Sequence, residues 1–76
     1  LSMRSSRFND NAIAAIDDPE AIEILDIAGS SVTDNGVRYL ATFSNLRALV
    51  VVSCVVDENS LDELQVALPR LCIWRP

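Results

Sequence analysis

The hydrophobic pattern of this chain repeats every 24 residues, and that regularity excludes most architectures open to a short polypeptide. Leu1 falls in line with Leu25 and Leu49, Met3 with Ile27 and Val51, and Phe8 with Val32 and Val56. Ile13 aligns with Val37 and Leu61, Ile16 with Leu40 and Leu64, and Ile22 with Leu46. Two polar series keep the same spacing. Ser6, Ser30 and Cys54 form one; Asn9-Asp10-Asn11, Thr33-Asp34-Asn35 and Asp57-Glu58-Asn59 form the other. A unit this short cannot bury its own apolar side, so the units are expected to stack and share one core.

Inside each unit the hydrophobic period changes once. Ile22-x-x-Leu25-x-Ile27 and Leu46-x-x-Leu49-x-Val51 end in the two-residue alternation of a strand. A loop follows, and Asp10, Asp34 and Asp57 are placed to cap helices. Ile13/Ile16, Val37/Leu40 and Leu61/Leu64 then give one helix face, which Phe43 and Leu68 extend. Pro19 and Pro69 follow the helices as stops. Strand, loop, helix and return, stacked side by side, predict parallel strands on one face and helices on the other. The whole chain, 1–76, reads as one domain, with units at about 1–21, 22–45 and 46–70 and a terminal strand at 71–75.

These residues resemble the leucine-rich repeat family. Its L-x-x-L-x-L-x-x-N/C-x-L core is matched by Ile22-x-x-Leu25-x-Ile27-x-x-Ser30-x-Val32 and by Leu46-x-x-Leu49-x-Val51-x-x-Cys54-x-Val56. Val32-Thr33-Asp34-x-Gly36-Val37 is similar to the V-T-D-x-G-L repeats of its bacterial and cysteine-containing subclasses. The likeness covers about residues 1–68 and departs from the pattern where Ser6 and Ser30 replace asparagine and where Ala12 and Ser60 replace Gly36. It implies an α/β leucine-rich repeat solenoid fragment with strands on a concave face and helices on a convex one. It also implies protein binding, usually on the concave face.

The ends of the array differ from its middle. Leu1 already holds the fourth position of a core motif, so a trimmed chain or an upstream segment without order is expected. A first strand near Leu1 to Met3 would carry an open edge available for self-association. At the other end Leu71-Cys72-Ile73-Trp74 forms a strand of open register, resembling a cap and stopped by Pro76. Either Leu71 and Trp74 point inward, or Leu71 and Ile73 do, leaving Cys72 and Trp74 on the sheet face.

Composition argues against chemistry. The chain has no histidine and no lysine, which removes Ser-His-Asp, Cys-His and Schiff-base arrangements. Asp17, Asp18 and Glu20 are a solvated acidic cluster with no matching ligand cage. Two cysteines are too few for a zinc site, and Gly29-Ser30-Ser31 lacks the pattern and lysine of a phosphate loop. No enzyme, metal or cofactor is therefore expected. A net charge of −5 disfavours nucleic acid, and no apolar run reaches the ~20 residues of a membrane span. Cys54 and Cys72 read as structural thiols. They lie about seven residues apart along the strand direction, roughly 20 Å, too far to bridge. Free thiols suit a reducing compartment, and the location expected is cytoplasmic.

The strand face carries the functional expectation. If Leu25 and Ile27 point inward, alternation places Ile24, Asp26 and Ala28 outward, with Ala48, Val50 and Val52 in the next unit and Ser2 and Arg4 in the first. A solvent-facing strand face is normally polar, and this one is apolar. The chain is therefore expected to be a non-catalytic interaction module whose face docks a protein partner. The alternatives are a structural capping segment of a longer array, with its binding site elsewhere, and an assembly subunit of a larger complex.

Overall fold

The computed structural model describes residues 4–75. Three short helices and three short strands alternate along the chain: α1 (Asp10–Ala14), β1 (Ile24–Asp26), α2 (Asp34–Tyr39), β2 (Ala48–Val50), α3 (Glu58–Ala67) and β3 (Cys72–Trp74). The strands form an open parallel sheet in the order β1-β2-β3. Leu25 pairs with Leu49 and Leu49 with Ile73, so neighbouring strands sit 24 residues apart in register. The repeat length and the sheet register are one quantity. Beyond the paired residues the ladder continues through Ile27 N–H to the Val50 carbonyl at 3.0 Å and Gly29 N–H to the Val52 carbonyl at 2.8 Å.

Helix packs on helix in the same order, α1 on α2 and α2 on α3. Leu25, Ile27, Leu49 and Val51 from the strand segments meet Ile13, Val37, Leu40, Leu61 and Leu64 from the helical side in one core, joined by Val32, Phe43, Leu46 and Leu71. The columns read from the sequence are therefore the core columns. Depth of burial varies within some columns. Leu40 and Val32 in the middle unit are fully buried, whereas their counterparts Ile16 and Val56 are half-buried and Phe8 is exposed. Among the described residues α2 lies between α1 and α3, and β2 between β1 and β3.

Several expectations are corrected. Asp10, Asp34 and Asp57 were expected to cap the helices as a set. The N-cap positions are Asn9, Thr33 and Asp57, and only Asn9 accepts a capping bond through its side chain, from the Ala12 N–H at 3.2 Å. Asp10 and Asp34 stand one residue further in and bond to the next unit: Asp10 Oδ1 accepts from the Thr33 N–H at 2.7 Å, and Asp34 Oδ1 from the Asp57 N–H at 2.9 Å. Phe43 does not extend a helix, whereas Leu68 follows α3 directly as its C-cap, its N–H donating to the Leu64 carbonyl at 2.8 Å. α2 gives way to a 3₁₀ turn, Leu40–Thr42, whose Thr42 hydroxyl donates to the Tyr39 carbonyl at 2.8 Å, and Phe43 is buried just beyond it.

The terminal strand takes the second of its two registers. Leu71 is buried and Ile73 half-buried, while Cys72 and Trp74 are exposed. The expected first strand near Leu1 to Met3, with its open edge, lies outside the described residues, as does Pro76.

Candidate partner-binding face

Parallel strands in a common register align their outward residues in rows across the sheet. The first row is Ile24, Ala48 and Cys72, and the second is Asp26, Val50 and Trp74. Between them Leu25 and Leu49 face the core with no exposure, which fixes the opposite face as the open one. Ile24 is 59% exposed and Trp74 64% exposed, while Ala48 and Val50 between them are half-buried. The two rows are apolar apart from Asp26, against which Arg4 stands.

Asp26 is held at both oxygens. Oδ1 accepts from the Ala28 N–H at 3.0 Å, and Oδ2 faces Arg4 Nε at 3.4 Å. The first contact turns the chain at the end of β1, and the second brings Arg4 against it. Arg4 is exposed while Asp26 is half-buried, so solvent screens the pair on the arginine side and its value is positional more than energetic. Past the turn, Arg4, Ala28, Gly29, Val50, Val52 and Ser53 surround an open hollow of about 530 Å³. Gly29 and Ser53 occupy the same place in successive units, both with left-handed backbone at φ +72° and +58°.

The structure brings Arg4, Ile24, Asp26, Ala48, Val50 and Val52 together on this face as the alternation required. Ala28 is the exception. It is 8% exposed and forms part of the wall of the hollow, because the Asp26 turn draws it against the chain in place of projecting it. Cys72 and Trp74 belong to the same rows, as the second of the two registers left open for the last strand places them. Their signal was present: Trp74 stands 24 residues after Val50, and Cys72 the same distance after Ala48.

Cys54 is half-buried, with its thiol donating to the Ile27 carbonyl at 2.8 Å and lying 3.8 Å from the Ser30 hydroxyl. Cys54 and Cys72 are both free. Asp17, Asp18 and Glu20 are exposed, and among the described residues no group of three or more cysteines and carboxylates could hold a metal ion. A second hollow, about 640 Å³, lies at the other end of the sheet between Glu20, Glu23, Arg47, Arg70 and Cys72, with Arg47 Nε 3.7 Å from Glu23. Among the described residues no helix is long and apolar enough to cross a membrane. Comparison with protein-family models, with curated proteins and with solved structures found no match.

Proposed function

We propose that this chain is a leucine-rich repeat solenoid fragment and a non-catalytic recognition module, docking a protein partner through its concave strand face. The observation that carries the reading is the in-register row Asp26–Val50–Trp74 beside Ile24, a mostly apolar surface presented on the side of the sheet away from the core. Exposed aromatic and aliphatic groups side by side on a small domain suit an interface, since burying them against a partner removes apolar area from water. Trp74 is the natural anchor, because large aromatics dominate interface energetics. The test is affinity capture followed by mass spectrometry with the native chain and Val50→Glu in parallel. A partner retained by the native chain and lost by the variant supports the reading. Equal retention by both refutes it.

A second reading, a capping segment of a longer array, draws support from the last unit. The Gln65 amide donates to the carbonyls of Leu68, at 3.1 Å, and Leu71, at 2.7 Å, and Arg75 pairs with Asp62 at 3.1 Å. These contacts tie α3 through polar groups to the segments that flank β3. In the full-length gene, many upstream repeats would favour this second reading.

A further inference from the structure

We draw no further inference here: the strongest candidate, the hollow at the end of the open strand face between Arg4, Ala28, Gly29, Val50, Val52 and Ser53, belongs to the site already described, and nothing in the structure shows what covers it.

Discussion

The Asp34 carboxylate accepts a hydrogen bond from the backbone N–H of Asp57 at 2.9 Å, joining the start of one helix to the start of the next. One unit earlier Asp10 does the same for Thr33 and also accepts from its hydroxyl, at 2.5 Å. The starts of α2 and α3 therefore each have an N–H satisfied by the preceding unit. Opposite these carboxylates stand Gly36, whose missing side chain leaves room for Asp10, and Ser60, which hydrogen-bonds to Asp34.

The first prediction is a pH dependence. The Asp57 N–H, and after it the Ser60 hydroxyl, hold the Asp34 carboxyl below its ordinary value of 3.8. A carboxyl depressed on folding contributes stability that is present above the unfolded value and is lost as pH falls through the folded one. Carboxyl titration by NMR should place Asp34 below 3.8. Asp34→Asn should melt with a weaker acid dependence in that range. An unshifted Asp34 would refute the contact.

Gly36→Ala tests the other side of the ladder. In an open helix the change would gain about 1 kcal/mol. Here the new Cβ would collide with Asp10 Oδ1 and lie 2.7 Å from Val32 Cγ1, so a net loss of about 1–3 kcal/mol is expected by chemical denaturation. Adding Asp10→Ala should recover part of it, the remainder belonging to Val32. A neutral Gly36→Ala would show that this packing is loose.

Gly29 and Ser53 should respond with opposite signs. Both hold left-handed backbone at the turn after a strand. Gly29→Ala should cost about 1 kcal/mol through backbone strain alone, because its Cβ would meet the Arg4 carbonyl at an ordinary 3.4 Å. Ser53→Gly relieves the same strain and should leave the melting temperature unchanged or raise it. Two losses would contradict the shared geometry.

Adjacent residues of β2 separate binding from folding. Leu49 is fully buried, and Leu49→Ala should cost about 2–5 kcal/mol, enough to unfold much of so small a domain. Val50 faces away from the core, so Val50→Glu should cost about 1 kcal/mol or less in circular-dichroism melts. If the two variants unfold alike, the strand face is covered and the proposed site is wrong.

Trp74 is the sole tryptophan and therefore a direct reporter of the last strand's register. Its exposure predicts long-wavelength emission and ready quenching by acrylamide in the folded protein. Trp74→Ala should change stability by no more than about 1 kcal/mol. Blue-shifted, protected emission would mean that Trp74 has replaced Ile73 inside.

The sequence by itself determined the repeat length, the order of strand and helix and the membership of the core. Burying one apolar side against neighbours forces a fixed spacing, and Leu25/Leu49 and Val37/Leu61 display it without reference to coordinates. It also determined most of the open face, since alternation about Leu49 leaves Ala48 and Val50 no other side. Tertiary structure decided what depends on distances between units. The inward and outward residues of β3 were settled by its pairing with β2, since Leu71 and Trp74 offered an equally apolar inner face. The role of Asp10 and Asp34 was settled the same way. An aspartate at a helix start satisfies local sequence rules as a cap, and only the next unit's N–H, brought close by stacking, gives its carboxylate another partner. Ala28 was withdrawn from the face for a kindred reason: strand alternation holds only while the backbone stays extended, and the Asp26 side chain ends that by bonding the Ala28 N–H.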